Sequence, residues 1–339
     1  MKLLLISGSY PPVTCGIGSY TEKLVLALQK FDIKIELLTN VDFSLSQLFH
    51  LFKTIDNIGA DIIHIQYPSE GFGYGITPQI LSLKYKTLVT IHEVSQFHPL
   101  RRLLLLPFSM RATLIFTNYM EYEYFRKIFP WHRKQANVIP IGSNIIFDNK
   151  QEAPFEKKNI TEIVYFGLIR PKKGLENVLD LAHLLQKRNS PYKVKIVGKT
   201  FRENSSYFNK IKMTAENLPV TWFLNHTDLE VSEELCKHVM AYLPFPDGAS
   251  ERRGSLLAVL NSGLLTFTTR GIQTPIEMDD AVVFVNDPLQ VTLFLEELES
   301  HGLKEKVIKK STEARKFLKN FEWDEIAKKH ILLYRKLAN

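Results

Sequence analysis

The sequence MKLLLISGSYPPVTCGIGSYTEKLVLALQKFDIKIELLT, residues 1–39, decides the fold class. Its apolar runs at 2–7 and 33–39 have few alternating polar positions, which is typical of parallel strands covered on both faces. Between the two runs, apolar side chains recur at helical spacing. These are Tyr20, Leu24, Ala27, Leu28 and Phe31. The order strand, loop, helix, strand predicts a βαβ unit of a doubly wound α/β fold.

The same alternation continues along the chain, with one polar interruption. The predicted strands lie at 2–7, 33–39, 61–66, 87–92, 112–118, 137–141, 161–167, 193–198, 220–224, 238–243, 264–268 and 281–285, and helices at 303–318 and 323–337 close the chain. The interruption, FDNKQEAPFEKKN, has no apolar period and is interpreted as a linker. We therefore predict two Rossmann-like domains at 1–145 and 161–322, joined by a linker at 146–160 and followed by a closing helix at 323–339.

Length and composition exclude several classes of protein. A chain of 339 residues with 45% apolar and 23% charged residues suits two ordinary globular domains. No segment of the sequence approaches the about 20 apolar residues of a membrane-spanning helix. The apolar run from Leu3 to Ile6 is too short for a secretory signal, so we expect a cytoplasmic protein. The sequence has only two cysteines, Cys15 and Cys236, which are too few for a disulfide framework or a cysteine-based metal site.

A net charge of +7 favours an anionic partner, which means nucleic acid, a phospholipid surface or a phosphorylated substrate. Seven basic and two acidic side chains lie between His98 and Gln135. Within this region, HPLRRLLLLPFSMR combines Arg101, Arg102 and Arg111 with a run of leucines. Such a basic amphipathic element suits a membrane interface, although the leucines equally suit the core. The region lacks interleaved aromatic residues that would stack on bases, so nucleic acid is not expected.

The loop GSYPPVTCGIGSY, residues 8–20, places Gly16 and Gly18 just before the predicted helix. Glycines at this point let the backbone approach a ligand, and the helix N-terminus offers N–H groups to an anion. An ordinary glycine turn also fits the pattern. Tyr20 and Thr21 break the dinucleotide fingerprint G-x-G-x-x-G, which argues against a nicotinamide-dependent oxidoreductase.

A second motif, FGLIRPKKGLE at 166–176, follows the first predicted strand of the second domain. Arg170, Lys172 and Lys173 crowd the end of that strand, and Gly174 opens the next helix. Positive charge beside a helix N-terminus opposes the helix dipole, and a bound diphosphate would relieve this conflict. A solvated basic turn is the alternative interpretation.

Two further motifs end in polar groups that suit a ligand. PFPDGASERRGSLLAVLNSG, residues 244–263, leads into a helix opened by Gly254 and Ser255, whose amides suit phosphate oxygens. A capped helix after an exposed loop explains the same residues. His92 ends the strand predicted at 87–92, where we expect it to face a cleft rather than the core. A lone histidine is also often structural.

With these four motifs, the chain resembles glycosyltransferase family 4, whose members are retaining enzymes with the GT-B fold. PPVTCGIGSY is similar to the glycine loop of that family, with Cys15 at the first of two usual glycines. IPIGSN at 139–144 looks like the stretch before the interdomain crossing, and GLIRPKKG like the donor-diphosphate motif. FEWDEIAKKHILLY is similar to a closing helix that packs back on the N-terminal domain. The resemblance spans nearly the whole chain and implies a cleft between two facing domains.

Besides Cys15, the chain departs from the family at two further places. Lys173 matches the lysine of the diphosphate motif, but Leu168 stands where an arginine is usual, so Arg170 is the candidate substitute. The family also carries two glutamates eight positions apart. Alignment on the glycine at 263 places Ser250 and Ala258 at those positions.

Glu251, one residue late, is the carboxylate that we assign to the donor sugar. Ribose recognition by the second glutamate has no counterpart at Ala258. The variant SERRGSLLAVLNSGL looks like one found in some polysaccharide-assembly members, which favours a diverged active enzyme over a silent one.

The resemblance implies retaining transfer of a hexose or N-acetylhexosamine from a UDP-sugar. The basic amphipathic element at 98–111 favours a polyprenyl-diphosphate-linked saccharide as the acceptor, in O-antigen or capsule assembly at the inner face of the plasma membrane. Neither cofactor nor metal is expected, and the sequence contains no Asp-x-Asp triplet. The implied catalytic residues are His92 and Glu251, the donor-binding residues are Gly16, Gly18, Arg170, Lys173, Asn225, His226, Gly254, Ser255 and Leu256, and the acceptor or membrane residues are Arg101, Arg102 and Arg111. A UDP-sugar epimerase of the same fold and a catalytically silent partner protein are the alternatives.

Overall fold

The computed structural model describes residues 1–13, 15–95, 97–132, 137–143, 145, 154–200, 206–300 and 302–338. The chain divides into two compact units. The first unit comprises Met1–Gly142 together with Asn320–Asn339, and the second comprises Ser143–Lys319. The predicted domain boundaries at 145 and 322 lie a few residues from the two points where the chain passes between the units. The described end of the linker predicted at 146–160 belongs to the second unit, where a strand begins at Asn159, and residues 146–153 lie outside the described residues. None of the described helices combines the length and the apolar character needed to cross a bilayer.

A six-stranded parallel sheet forms the centre of the first unit, in the order β2-β1-β3-β4-β5-β6. Its strands are β1 (Lys2–Ser7), β2 (Lys34–Thr39), β3 (Ile62–Tyr67), β4 (Thr87–Ile91), β5 (Thr113–Phe116) and β6 (Asn137–Val138). Its helices are α1 (Gly16–Leu28), α2 (Leu48–Ile58), α3 (Thr77–Lys84), α4 (Pro99–Leu103), α5 (Leu106–Arg111), α6 (Tyr119–Ile128) and, from the end of the chain, α13 (Trp323–Ala338). The strand order reverses between β1 and β3, and ligands of open α/β sheets bind beyond the carboxyl ends of the strands at such a point.

The two faces of this sheet bury different side chains, because successive residues of a strand point to opposite faces. Leu4 and Ile6 belong to the core that includes Phe108 of α5 and Phe125 of α6. Leu3 and Leu5 belong to the opposite core layer, which is completed by residues of α1 and α13, namely Tyr20, Leu24, Leu28, Ile326, Ala327, Ile331 and Tyr334. The last helix of the chain is therefore part of the core of the first unit.

The second unit also contains a six-stranded parallel sheet, in the order β12-β11-β10-β7-β8-β9. The strands are β7 (Asn159–Leu168), β8 (Lys193–Lys199), β9 (Val220–Leu224), β10 (His238–Leu243), β11 (Leu265–Thr268) and β12 (Val283–Phe284). The helices are α7 (Leu175–Lys187), α8 (Ser206–Thr214), α9 (Asp228–Cys236), α10 (Gly254–Asn261), α11 (Pro288–Ser300) and α12 (Leu303–Leu318). Here the strand order reverses between β7 and β10.

Each strand predicted from the sequence is present, and the predicted α/β class with two Rossmann-like sheets is confirmed. The predicted ends of β1, β9 and β10 are confirmed, those of most other strands differ by one or two residues, and two predicted strands are more than twice as long as the observed ones. The strands predicted at 137–141 and 281–285 are two-residue strands, β6 and β12. Both lie at the edge of their sheet, and among the described residues each pairs with one neighbouring strand through two residue pairs. In both cases the apolar run of the sequence is longer than the part of it that is paired with a neighbouring strand.

Candidate functional site

Two loops of the second unit meet where the strand order reverses, after β7 and after β10. The loop after β7 contains two left-handed residues, Lys172 with φ 63° and Gly174 with φ 79°. A Cβ atom at Gly174 would lie 1.9 Å from the carbonyl oxygen of Pro244. Only glycine therefore permits this close approach of the two loops. The residues of both loops lie at the position where an α/β sheet binds its ligands.

Three basic side chains from these loops act on one another electrostatically. The pKa of Lys173 is lowered to about 8, chiefly by its burial and then by the charges of Arg170 and Arg253, while Asp247 opposes the shift. Lys173 loses hydration without gaining a full complement of opposite charge. A bound anion would supply that charge. The loops thus bring the predicted Arg170 and Lys173 into one basic cluster with Arg253.

The sequence alone does not predict a role for Arg253. Its Nη2 donates to the carboxylate of Asp247, and its Cζ atom lies 4.9 Å from the centre of the Phe245 ring. The side chain is only 18% exposed, and its Nε atom is buried without a hydrogen-bond partner among the described residues. The guanidinium is thus held in place, and some of its N–H donors are not used by these contacts. The adjacent Arg252 instead bonds to Gln273, and no sequence pattern distinguishes the two arginines.

The amino end of α10 adjoins this cluster. Gly254, Ser255 and Leu256 are the first three residues of the helix, and the first N–H groups of a helix have no partner within it. Arg253, the residue before the helix, provides no side-chain cap, and the first turn contains no acidic residue. This arrangement leaves backbone donors and the positive end of the helix dipole for an anion.

Glu251 lies half-buried in the loop that precedes α10. Burial, and then the nearby carboxylate of Glu277, raise its pKa above the usual value. Ala258 is fully buried within α10. The position aligned with the second glutamate of the family therefore belongs to the core of the unit.

Asn225 and His226 lie apart from the basic cluster in strand order, because β8 separates β9 from β7. Asn225 adopts φ 62° and its Oδ1 accepts the backbone N–H of Thr200 at 2.9 Å. The His226 ring stacks on Phe223 with centroids 3.6 Å apart, and its Nδ1 lies 3.4 Å from the Glu230 carboxylate. These contacts hold the loop after β9 in shape.

In the first unit, the two predicted glycines lie in the first turn of α1 rather than before the helix. The helix begins at Gly16, directly after Cys15, whose backbone is extended. Gly18 is buried, and a Cβ atom there would lie 3.1 Å from the carbonyl oxygen of Ser9. Gly16 is exposed and faces open space. Gly18 is thus needed for packing, and Gly16 leaves room at the helix N-terminus.

His92 follows β4 directly and is half-buried rather than free of the core. Its Nε2 lies 2.8 Å from Oε1 of Gln66, and its ring packs edge-on against Tyr20 with centroids 4.7 Å apart. Burial, and then the nearby His330, lower its pKa to about 3. The ring is therefore neutral near pH 7, which suits hydrogen bonding to a hydroxyl better than binding of an anion.

The predicted basic amphipathic element forms the short helices α4 and α5. Nη2 of Arg101 donates to the carbonyl of Gly73 and Nη2 of Arg102 to that of Ser95, each at 3.2 Å, so both arginines are engaged within the unit. Arg111 is exposed. The apolar side chains of this element fit partly the core and partly the membrane interpretation. Leu105 is in the core, whereas Leu103, Leu106 and Met110 are exposed. Arg133 and Lys134, which were part of the predicted basic region, lie outside the described residues.

No group of three or more histidine, cysteine, aspartate or glutamate side chains among the described residues is arranged to hold a metal ion. The expectation that the protein works without a metal or a cofactor stays a prediction.

Neither a family model nor a curated protein matches the sequence. Solved structures do match it. A glycosyltransferase from Rickettsia africae ESF-5 superposes with a TM-score of 0.72 at 13% identity, over 99% of this chain and 98% of that chain. The sucrose-phosphate synthase of Thermosynechococcus elongatus superposes with a TM-score of 0.71 at 15% identity, over 99% of both chains.

The Anabaena protein HepE, solved in complex with UDP and glucose, gives a TM-score of 0.71 at 13% identity, over 99% of this chain and 100% of that chain. Such low identities support a conclusion about the fold only. The chain has the GT-B fold, with two Rossmann-like units, and the predicted fold class is confirmed over its full length.

Proposed function

We propose that this protein is a glycosyltransferase that uses a UDP-sugar as donor. The observation that carries the proposal is the basic cluster of Arg170, Lys173 and Arg253 at the reversal point of the second sheet, beside the amino end of α10, which has no side-chain cap from its N-cap residue. Departure of UDP leaves negative charge on the diphosphate, and preorganised cations and N–H donors stabilise such charge. Solved proteins of this fold include HepE with UDP and glucose and an alpha-glucosyltransferase with UDP.

The finer parts of the proposal follow from the resemblance to glycosyltransferase family 4 and, for the acceptor, from the basic amphipathic element. The reaction retains the configuration of the sugar and needs no metal, because cations and amides of the protein hold the diphosphate. His92 binds a hydroxyl of the sugar or of the acceptor, and Glu251 contacts the donor sugar. Asn225 and His226 lie toward the base, and the donated sugar is a hexose or N-acetylhexosamine. The acceptor is a polyprenyl-diphosphate-linked saccharide in O-antigen or capsule assembly.

Calorimetric titration of the full chain with UDP and a panel of UDP-sugars, in the presence of a chelator, tests the donor site. We expect binding by the wild type and a loss of about ten- to a hundredfold in Lys173→Ala, because a hydrogen bond to a charged group contributes about 1.5–3 kcal/mol. Lys172→Ala is the matched control, since this exposed neighbour stands in the same loop. An equal Kd for wild type and Lys173→Ala would remove the diphosphate assignment.

The pKa of Lys173 gives the same experiment a pH dependence. The free ammonium has a pKa of about 8, and a bound diphosphate raises it. The affinity for UDP should therefore be full below this value and decline as the pH rises through it. Lys173→Ala should bind UDP weakly and without this decline.

Turnover distinguishes the proposal from its alternatives. A transferase releases UDP only when an acceptor is present, whereas an epimerase converts the UDP-sugar without one. A silent partner protein binds UDP and turns over nothing with a lipid extract that contains polyprenyl-linked saccharides.

The membrane part of the proposal rests on Arg111 and the exposed side chains of Leu103, Leu106 and Met110 around it. Sedimentation with phosphatidylglycerol vesicles should recover the protein, and Arg111→Glu should weaken this binding by at least about fivefold, because each nearby cation contributes about 1 kcal/mol. Lys187→Glu, at the exposed end of α7, makes the same change in net charge elsewhere. Equal binding by both variants would refute a membrane role for this element, and the calorimetry would still decide donor binding.

A further inference from the structure

A chain of hydrogen bonds runs through the interior of the first unit and ends at His92. It is built from His64 and Gln66 of β3, Thr90 of β4 and Tyr334 of α13, and all four side chains are fully buried. Nδ1 of His64 lies 2.7 Å from the Tyr334 hydroxyl, and its Nε2 lies 2.7 Å from the Thr90 hydroxyl. Nε2 of Gln66 lies 3.2 Å from Nε2 of His64, while Oε1 of Gln66 lies 2.8 Å from Nε2 of His92.

Counting donors and acceptors fixes the proton on His64. Burial, and then the neighbouring His330 and His92, hold the pKa of His64 well below its usual value, so the ring is neutral and carries one N–H. The amide nitrogen of Gln66 can only donate a hydrogen bond, so Nε2 of His64 must accept it and carries no proton. The Thr90 hydroxyl can rotate to donate to the same nitrogen. The proton of His64 is therefore on Nδ1, which donates to Tyr334.

The other end of the amide fixes the proton on His92. Oε1 of Gln66 has no hydrogen, so it accepts, and Nε2 of His92 must donate. The neutral ring then has its lone pair on Nδ1. Among the described residues no hydrogen bond reaches this Nδ1. The atom is also not fully buried, since it is absent from the set of buried polar atoms that lack a partner. The lone pair of His92 is thus open to a ligand.

We propose that Gln66 is a positioning residue that holds His92 in the Nε2–H tautomer, so that Nδ1 accepts a hydrogen bond from a substrate hydroxyl. The assignment of the hydroxyl to a sugar or an acceptor rests on the proposed function, whereas the tautomer is a property of the free protein. Because one amide contacts both rings, the tautomers of His64 and His92 are coupled. A reversed amide would move the proton to Nε2 of His64 and to Nδ1 of His92.

Long-range proton–nitrogen NMR of the full chain labelled with 15N-histidine reads both tautomers directly. Near pH 7, we expect a protonated Nε2 and an unprotonated Nδ1 for His92, with the opposite pattern for His64. His92→Gln and His64→Gln assign the signals by their disappearance. A proton on Nδ1 of His92 in the wild type would overturn the proposal without any variant having to fold.

Two substitutions at Gln66 separate the two contacts of the amide. Gln66→Glu keeps an oxygen that accepts from His92 but has no N–H for His64, so His92 should keep its tautomer while that of His64 is released. Gln66→Leu removes both contacts and should leave His92 as a mixture of tautomers. Gln79→Leu is the matched control, because Gln79 is equally buried but donates to the Tyr67 hydroxyl instead. A single unchanged tautomer of His92 in Gln66→Leu would refute the role of Gln66.

Turnover and donor binding form the second arm. Gln66→Leu should lower kcat/KM by about tenfold, the effect of one misplaced hydrogen bond, with the Kd for UDP unchanged because the basic cluster lies in the other unit. Gln66→Glu should retain most of the activity. A wild type that binds no UDP and transfers no sugar would remove the proposed function, and the NMR result would still decide the tautomer.

Discussion

Replacement of the buried His330 by leucine should make the first unit less sensitive to acid. His330 is fully buried on α13, where its Nδ1 donates to the carbonyl of Ile326 at 2.8 Å and its Nε2 has no partner among the described residues. Burial lowers its pKa to about 4, although the contact with Ile326 opposes the shift. In the unfolded chain the same ring takes up a proton near the ordinary histidine pKa of 6.5.

The sign and size of the effect follow from this difference. Below about pH 6.5 the unfolded chain binds a proton that the folded unit refuses, so stability is complete above this pH and is lost as the pH falls toward 4. Each unit of pKa difference corresponds to about 1.4 kcal/mol, so His330 alone costs about 2 kcal/mol between about pH 7 and pH 5. His64 and His92 also have lowered pKa values and act in the same direction. Leucine has a similar volume and no proton to bind.

Urea unfolding followed by tryptophan fluorescence measures this effect. In a Trp222→Phe background the remaining tryptophans, Trp131 and Trp323, both lie in the first unit. Between about pH 7 and pH 5, we expect His330→Leu to lose about 2 kcal/mol less than its parent. His50→Leu, on the exposed surface of α2, should behave like the parent. Equal losses for His330→Leu and its parent would show that His330 takes up its proton in the folded unit, against the reasoning from burial.

Three further substitutions test other features of the structure by urea unfolding. Tyr20→Phe should stabilise the first unit by about 1 kcal/mol, because the hydroxyl is buried without a partner among the described residues, and a loss of stability would show that it has one. Gly174→Ala should destabilise the second unit by more than about 2 kcal/mol, because the new methyl group adds a steric clash to a left-handed backbone. The control Gly59→Ala has a similar φ of 58° but open space around it, so it should cost only about 1 kcal/mol. Lys195→Met should cost about 2–3 kcal/mol, because it removes a cation that contacts the buried carboxylate of Glu234, and an unchanged midpoint would refute that role.

The strand pattern predicted most of the fold, because the central strands of both sheets are buried on both faces and read as uninterrupted apolar runs. The inner strands β1 and β10 have the predicted ends, and so does the edge strand β9. Prediction was poorest at the sheet edges, where β6 and β12 are limited by their single pairing partners rather than by their own sequence. Helix starts depend on local backbone geometry, which is why α1 already contains Gly16.

The candidate site was only partly predictable. Basic residues at a strand end are visible in the sequence, so Arg170 and Lys173 could be selected, but Arg253 acquires its place from contacts with Phe245 and Asp247. The partners of His92 were harder still to foresee. Gln66 lies 26 residues away along the chain, and Tyr334 lies 270 residues from His64. Such pairs form only through tertiary folding, and no local pattern marks them.

The return of α13 to the first unit affects the order in which the chain is able to fold during synthesis. The second unit is one continuous segment, Ser143–Lys319, and it emerges from the ribosome complete. One core layer of the first unit lacks Ile326, Ile331 and Tyr334 until α13 has been made. The portion synthesised first is therefore the last to become fully stable, and it waits with an apolar sheet face uncovered for the final helix.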